Sequence, residues 1–359
     1  MSHREAEYDA GAPPAVPVRS RARDRYIAIA STLAAMVGLA IVARTIDWPQ
    51  TAQTLGQLGA RAPLVLVPYL FVLSCDTAAW RHTFEHPAQL RYWSLWQLRI
   101  ASEAVSNSVP AGPAIAEGIK AILLQRRFGL PLEEASANVI LAKFGLAVSQ
   151  SLFLIAALGS AVPTLQRKSQ DILGDEGLEW VAIGIAFGFL LIVSTVLLAL
   201  VRGKLFVRVI RWFPRLSHWM PAAERLDHAF GAFTRVPQQQ TLLAVVLFCC
   251  GWACLGSENY VILSLLGTDV TLGQALAMEA LLSIVRIAFF FLPSALGAQE
   301  AGYYLVLRAY DVPQPEVLAA AFMVTKRAKE LIWIGAGYAV LSHLHIRVRE
   351  ARAAVLTKS

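Results

Sequence analysis

Two stretches of the chain, NSVPAGPAIAE at residues 107–117 and LPSALGAQE at residues 292–300, interrupt long apolar segments. Each contains a proline that a glutamate follows after seven residues, Glu117 in the first stretch and Glu300 in the second. Proline ends an α-helix because it lacks the backbone N–H and its ring clashes with the preceding turn. The two stretches therefore predict apolar helices that break at corresponding places, each with a carboxylate beyond the break.

A charged residue also precedes each of these prolines by seven residues, Glu103 in the first segment and Arg286 in the second. We predict that each segment folds as a helical hairpin, over residues 93–127 and 273–310. The residues that we expect to make the breaks are Pro110, Gly112, Pro293 and Gly297. Broken apolar helices that carry ionisable groups at matching positions in two halves are typical of the binding site of secondary transporters.

The composition is that of a membrane protein. Of the 359 residues, 56% are hydrophobic and only 16% are charged, whereas soluble domains have roughly 25% charged residues. Several apolar segments reach the length of about 20 residues that a helix needs to cross a bilayer. The sequence thus predicts an all-α polytopic membrane protein. Besides the two hairpins we expect six full crossings, at residues 26–43, 62–80, 137–161, 179–201, 241–267 and 317–342.

The distribution of cations predicts the orientation. The net charge is +7, but the cations lie in short loops beside apolar segments and form no basic stripe, which argues against nucleic acid as a partner. With the N-terminus in the cytoplasm, the inner segments hold 20 Lys and Arg residues and the outer segments hold 5. This asymmetry follows the positive-inside rule. We therefore predict a multi-pass protein of the bacterial inner membrane with both termini cytoplasmic.

The same layout divides the chain into two repeats, residues 62–201 and 241–342. Three crossings separate corresponding spans, and because this number is odd, the second repeat is inverted. The first hairpin then opens from the cytoplasmic side and the second from the outer side. The other segments are a disordered cytoplasmic tail, an anchor helix with an outer loop, a basic cytoplasmic linker and a basic cytoplasmic tail, at 1–25, 26–61, 202–240 and 343–359. Aromatic residues in the linker predict an amphipathic helix on the inner leaflet.

Fourteen charged residues remain inside the apolar segments. Each would cost about 2.5–3.5 kcal/mol at the centre of a membrane helix, so we expect them to face the bundle interior or a wet cavity and to form pairs. The cations are Arg99, Lys120, Lys143, Arg286, Lys326, Arg327 and Lys329, and the acids are Asp76, Glu103, Glu117, Glu258, Glu279, Glu300 and Glu330.

From these charges and the polar residues at the breaks we predict a substrate- or ion-binding site. Plainer roles stay open for some members: Glu117 and Glu300 each suit the N-terminus of a helix, and Arg286 suits an ion pair with Glu279. The candidate residues are Glu103, Asn107, Glu117, Lys120, Arg286, Gln299, Glu300, Lys326, Arg327 and Glu330.

The densest group of charges is residues 326–330, with the sequence KRAKE. If a span began only after it, about 14 apolar residues, or roughly 21 Å of helix, would remain, which is too short to cross a bilayer. A span that begins near Pro315 instead brings the group close to mid-membrane. Lys326 and Glu330 then share a helix face, whereas Arg327 points elsewhere. Either a functional site or a structural network of ion pairs explains this group.

The sequence shows no catalytic or metal-binding motif beside these charges. The seven histidines lie in tails and loops, and the four cysteines lie inside apolar segments without the spacing of a metal or redox site. We therefore expect no catalytic residues, no metal and no cofactor, and a protein that is not an enzyme.

The chain resembles the flippase-like transmembrane family that is related to the membrane region of lysylphosphatidylglycerol synthases, and within it the hopanoid-associated inner-membrane proteins. Three motifs carry this resemblance: EAVSNSVP at 103–110 with Glu117 and Lys120, LPSALGAQEAGY at 292–303, and KRAKEL at 326–331. It extends over residues 70–350, with one departure, because Ile115-Ala116 stands where the family often has two glycines. The resemblance implies movement of a lipid or lipid-linked molecule across the inner membrane.

Taken together, the residues and the resemblance predict a transporter or flippase for a lipid with a hopanoid, phospholipid or polyprenyl-linked headgroup. A membrane-embedded enzyme and a scaffold in envelope-lipid biosynthesis stay open as alternatives. The expected partners are membrane lipids, together with either a second copy of the chain or proteins of envelope-lipid biosynthesis.

Overall fold

The computed structural model describes residues 48–109, 112–173, 177–202, 205–213, 217, 219–288 and 298–344. Within these ranges the chain is helical, which confirms the predicted all-α class. Short 3₁₀ segments cover Gly59–Val65, Pro87–Gln89 and Phe233–Arg235. The α-helices are α1 Trp48–Gly56, α2 Leu66–Arg81, α3 Tyr92–Ser108, α4 Gly112–Phe128, α5 Leu132–Leu173, α6 Leu178–Arg202, α7 Leu205–Trp212, α8 Met220–Ala232, α9 Gln238–Leu265, α10 Leu272–Ala288, α11 Ala298–Ala309 and α12 Pro315–His343.

Four helical segments in the described ranges are long and apolar enough to cross a membrane, and they match four of the predicted crossings. A fifth predicted crossing, 317–342, is present as α12, whose 29 residues suffice to span a bilayer although it carries several charges. The predicted anchor at 26–43 lies outside the described residues, as do the tail 1–25 and nearly all of the tail 343–359. The four segments are Gly59–Arg81, Leu132–Ser160, Trp180–Arg202 and Gln238–Leu265.

Each Pro-containing segment contains two helices that pack on each other, as predicted for a hairpin. The first gives α3 and α4, of 17 residues each, and the second gives α10, of 17 residues, and α11, of 12 residues. At the first break the backbone of Val109 is extended, and Gly112 begins α4 so close to the end of α3 that a Cβ there would overlap the Ser106 carbonyl. Gly112 is therefore required by close packing, whereas Pro110, Pro293 and Gly297 lie outside the described residues.

The open end of each hairpin packs in an apolar cluster. The two clusters lie at opposite ends of the bundle. One cluster joins the segment before α2, the start of α12 and the open ends of α10 and α11 through Val65, Leu318, Ala275 and Leu307. The other joins the ends of α2 and α12 to the open ends of α3 and α4 through Trp80, Leu341, Leu95 and Leu124. Because α2 and α12 each run from one cluster to the other, the two hairpins open toward opposite ends.

Helices of the two halves pack against each other in a reciprocal arrangement. α2 packs on α9, α3 packs on α12, and α10 packs on α5, so the helix that follows each hairpin lies against the first arm of the other hairpin. Close backbone approach allows one of these contacts, since a Cβ on Gly337 of α12 would lie 2.5 Å from the Ile100 carbonyl oxygen of α3. This reciprocal packing brings the polar faces of both hairpins to the centre of the bundle.

The segments predicted to lie on one side of the membrane also contact each other. Ser160 donates to the Gly273 carbonyl at 2.9 Å, and Arg167 lies 3.9 Å from Asp311, all in segments predicted as outer or at their borders. At the other end the linker residue Arg225 pairs with Glu133 at 3.0 Å. Which end faces the cytoplasm stays a prediction.

Candidate functional site

Arg99 organises a group of polar side chains where α2 contacts α3. Its guanidinium donates to Asp76 Oδ2 at 2.9 Å and pairs with Glu103 one turn further along α3. Glu103 also accepts hydrogen bonds from the Tyr69 hydroxyl at 2.9 Å and from the Asn107 amide at 3.3 Å. Such charge-assisted hydrogen bonds offset the cost of desolvating the carboxylates.

Glu117, the carboxylate beyond the first break, pairs with two lysines. Lys120 Nζ, one turn along α4, lies 2.9 Å from Glu117 Oε2, and Lys143 Nζ on α5 lies 3.3 Å from Oε1. Lys120 Nζ is also 5.9 Å from the centre of the Trp80 ring, within the range of a cation–π interaction. Glu117 thus ties the second arm of the hairpin to the helix that follows.

These charges surround one small cavity of about 50 Å³. A water molecule occupies roughly 30 Å³ of the liquid, so the cavity is of a size for one or two waters and too small for a lipid headgroup. Three acids and three cations line it, and they balance to zero net charge. We call this set the first ionic cluster: Asp76, Arg99, Glu103, Glu117, Lys120 and Lys143.

The second half holds its charges more deeply. Lys329 Nζ lies 2.8 and 2.7 Å from the two carboxylate oxygens of Glu258. Lys326 Nζ lies between two acids, 3.5 Å from Glu258 and 3.7 Å from Glu279. Both glutamates have 0% exposed surface, and both lysines have 4%. These four charges of α9, α10 and α12 are therefore removed from solvent.

Glu279 has further partners on α9 and α10. It pairs with Arg286 two turns along α10, and the Asn259 amide donates to its Oε2 at 2.9 Å. The alternative of an ion pair between Arg286 and Glu279 is thus the arrangement observed. Asn259 Oδ1 is buried and has no hydrogen-bond partner among the described residues, so it retains an unused acceptor, which is uncommon for buried polar atoms.

Tyr303 of α11 connects the buried Lys326 to the second hairpin. Lys326 Nζ donates to its hydroxyl oxygen at 2.8 Å, and the Gln299 amide donates to the same oxygen at 3.3 Å. The Tyr303 side chain is fully buried. Gln299 therefore lies beside the buried charges, although it touches them only through the tyrosine.

Arg327 pairs with two carboxylates, those of Glu300 and Glu330, at the edge of the buried charges. Its guanidinium lies 2.8 Å from Glu300, the carboxylate beyond the second break, and 2.6 Å from Glu330. Glu330 thus pairs with Arg327 and not with Lys326, with which its spacing predicted a shared face, because Lys326 turns to Tyr303, Glu258 and Glu279. We call the following set the second ionic cluster: Glu258, Glu279, Arg286, Glu300, Lys326, Arg327, Lys329 and Glu330.

The carboxylates that follow the two breaks form equivalent ion pairs. Glu117 at the start of α4 pairs with Lys143 on the next helix, α5, and Glu300 at the start of α11 pairs with Arg327 on the next helix, α12. Each pair joins the second arm of a hairpin to the helix that packs on the opposite half. This parallel, which the sequence alone did not reveal, supports the equivalence of the two hairpins.

Tyr69 joins the two clusters. Its hydroxyl donates to Glu103 in the first cluster at 2.9 Å, and its ring lies beneath Lys329 of the second cluster, 4.2 Å from Nζ to the ring centre. Trp333 packs against the same ring at 5.7 Å between centroids. Ionic and polar contacts thus lead from Glu103 through Tyr69 and Lys329 to the buried acids, and the two clusters form one row.

All ten residues predicted for the site belong to this row or hydrogen bond to it, Asn107 through Glu103 and Gln299 through Tyr303. Whether they bind a substrate stays a prediction. The structure adds seven residues that sequence reasoning did not select, Tyr69, Asp76, Arg99, Lys143, Glu258, Glu279 and Lys329. Six were visible as charges within apolar segments, whereas Tyr69 gave no signal inside the apolar run of α2.

A charged ligand would bind here by exchanging partners with the existing ion pairs. Both clusters carry equal numbers of acids and cations, so a charged group can enter only by replacing a partner in an existing pair or by bringing both signs. In the described part of the chain, no three His, Cys, Asp or Glu side chains are grouped to hold a metal ion.

A family model described as the lysylphosphatidylglycerol synthase TM region matches residues 27–326, which include both breaks and most of the row of charges. Among curated proteins, none matches the chain significantly.

Proposed function

The chain belongs to the family of the lysylphosphatidylglycerol synthase transmembrane region, and from this premise we propose that it moves an amphipathic lipid across the membrane. Membership of this family suggests a membrane protein of lipid metabolism or envelope-lipid processing, which supports the proposal. The headgroup would pass along the row of charges between the hairpins, while the tail stays in the bilayer.

The observation that carries this proposal is the continuity of the ionic row between the halves. Lys143 at one end has a side chain that is 54% exposed, and the row leads through Glu117, the cavity of the first ionic cluster and Tyr69 to the fully buried Glu258 and Glu279. Ionisable groups inside a membrane bundle are costly, and they typically mark the route of a substrate or ion.

Charge balance indicates the kind of headgroup. A zwitterionic headgroup brings one anion and one cation, so it could replace both members of an ion pair without leaving a buried charge uncompensated. In the first cluster the phosphate would take the place of an acid beside Arg99 or Lys120, and an amine would take the place of a cation beside Asp76 or Glu117. Asn259 Oδ1 and Arg327 Nε, both without a partner among the described residues, would add one hydrogen-bond acceptor and one donor.

The small cavity indicates that this conformation is closed to the headgroup. Since the hairpins open toward opposite ends, each would serve as a gate for one side, and displacement of the first hairpin, whose arms line the cavity, would enlarge it. α11, at 12 residues, measures about 18 Å against a hydrocarbon core of about 30 Å, which favours a re-entrant hairpin over two full crossings.

The finer identity of the lipid and its setting belong to the same proposal. Hopanoids, phospholipids and polyprenyl-linked lipids all combine a polar headgroup with an apolar tail that fits between helices. We propose the bacterial inner membrane with cytoplasmic termini as the site of action. Membrane lipids would be the partners, together with either a second copy of the chain or proteins of envelope-lipid biosynthesis.

A sided translocation assay tests the proposal. The purified chain is reconstituted into vesicles that carry fluorescent phospholipid in one leaflet, and appearance of the label in the other leaflet is followed by external quenching. We expect faster translocation than in protein-free vesicles, and a loss of about tenfold or more in Glu117→Gln and in Glu300→Gln, since each removes the acid that pairs the second arm of its hairpin with a cation on the next helix.

Glu134→Gln is the matched control, because Glu134 is exposed in the first turn of α5 and lies outside both clusters. Wild-type rates in both Glu117→Gln and Glu300→Gln would refute the site. Lipids extracted from the same vesicles are analysed by mass spectrometry, and a covalently altered lipid would favour the membrane-embedded enzyme instead.

A further inference from the structure

Helix α7 is held firmly against the bundle although it follows the end of α6 by only two residues. The Asp227 carboxylate of α8 accepts hydrogen bonds from the backbone N–H groups of Phe206 and Val207, at 3.1 and 2.9 Å. The Phe206 ring stacks on Phe230 with 5.5 Å between centroids. A carboxylate at a helix N-terminus is stabilised by the helix dipole as well as by these bonds, so the orientation of α7 is fixed.

The other face of α7 is exposed and combines aromatic and cationic side chains. Trp212 is 76% exposed and Phe213 is 55% exposed, and Val209 beside them is 42% exposed. Arg208 and Arg211 are exposed on the same helix, which contains no acid. Neither arginine has an ionic partner within the part of the chain that the structure describes. The face is thus apolar and positive, and no residue in the described ranges covers it.

The position of α7 identifies what meets this face. α6 is apolar enough to cross the membrane and ends at Arg202, so α7 begins where that span leaves the hydrocarbon. Tryptophan is enriched at the level of the headgroups, and short basic amphipathic helices lie in that plane with their apolar side chains inserted. Arginine attracts anionic lipids there and pairs with phosphate in a bidentate manner.

We propose that α7 is a docking surface for anionic phospholipid headgroups of the adjoining leaflet, with Trp212 and Phe213 inserted and Arg208 and Arg211 on the phosphates. The proposal concerns the lipids around the protein and does not rest on lipid transport. It predicts that the lipids in contact with α7 are enriched in anionic over zwitterionic headgroups.

Quenching of Trp212 by brominated lipids tests this directly. The full chain is placed in nanodiscs that contain equal mole fractions of either brominated phosphatidylglycerol or brominated phosphatidylcholine. The chain has nine tryptophans, so the signal of Trp212 is obtained as the difference between the wild type and Trp212→Phe. We expect phosphatidylglycerol to quench this signal at least about twofold more strongly than phosphatidylcholine, given the attraction of each arginine to an anionic leaflet.

The variant R208Q/R211Q is expected to lose this preference while phosphatidylcholine still quenches Trp212. R61Q/R167Q removes two exposed charges at the other end of the bundle and should keep the preference. An unchanged thermal unfolding midpoint shows that each variant is folded. Equal quenching by the two lipids in the wild type, or an undiminished preference in R208Q/R211Q, would overturn the proposal. So would a Trp212 that neither lipid quenches, because a second copy or another protein would then cover the face.

Discussion

The two ionic clusters are built from similar charges but differ in their access to solvent. In the first, the side chains of Glu103 and Glu117 are 23% and 21% exposed and line a cavity. In the second, Glu258 and Glu279 are completely buried. The difference indicates that Glu103 and Glu117 can exchange partners with little loss, whereas the buried Glu258 and Glu279 depend on the pairs they have. Stability should therefore respond unequally to equivalent substitutions in the two halves.

The largest loss of stability is expected from Lys329→Met, which removes the cation closest to the buried Glu258. Lys326, at 3.5 Å, is the cation that remains beside it. Removing one partner of a buried pair typically costs about 3–5 kcal/mol, because the remaining charge is uncompensated. Reversible unfolding by sodium dodecyl sulfate in mixed micelles measures the cost. The double variant Glu258→Gln/Lys329→Met should recover part of the stability, and no recovery would mean that the pair is not coupled.

A smaller loss is expected from Glu103→Gln in the first cluster. Arg99 keeps its contact with Asp76, and the glutamine oxygen can still accept from the Tyr69 hydroxyl. The loss of one charge-assisted hydrogen bond is worth about 1.5–3 kcal/mol. The same unfolding measurement applies, and a cost equal to that of Lys329→Met would remove the distinction between a wetter and a drier cluster.

Tyr69 sharpens the comparison because it touches both clusters with different parts of one side chain. Tyr69→Phe removes the charge-assisted hydrogen bond to Glu103 and should cost about 1.5–3 kcal/mol. Tyr69→Leu also removes the ring beneath Lys329 and should cost more, since a desolvated cation–π contact adds up to about 2 kcal/mol. Equal unfolding free energies for the two variants would show that the ring does not stabilise Lys329.

The smallest effect on stability is expected from Lys143→Met. Its side chain is half exposed, and Glu117 keeps Lys120 as a partner. Exposed ion pairs are worth about 0–1 kcal/mol, so the unfolding midpoint should barely move. A loss as large as that of Glu103→Gln would mean that the open edge of the first cluster is more rigid than its exposure indicates.

The sequence predicted the helical breaks and the pairing of charges well, because both arise from local rules. Proline ends helices wherever it lies, and a charge within an apolar run must find a partner. Which partner it finds is decided by tertiary packing: Lys329 pairs with Glu258, 71 residues away, and Lys326 leaves the nearby Glu330 for Glu279 across the helix contact. Tyr69 escaped prediction because tyrosine within an apolar span is as consistent with packing as with a polar role.

The most direct test of a single path through both clusters is the translocation rate of the double variant Glu117→Gln/Glu300→Gln beside the two single variants. If the headgroup passes the two clusters in series, each substitution slows a separate step. The double variant should then be slower than the more severe single variant by no more than about twofold. A double variant slowed by the product of the two single effects would contradict successive steps along one path, and wild-type rates in the single variants would contradict the path itself.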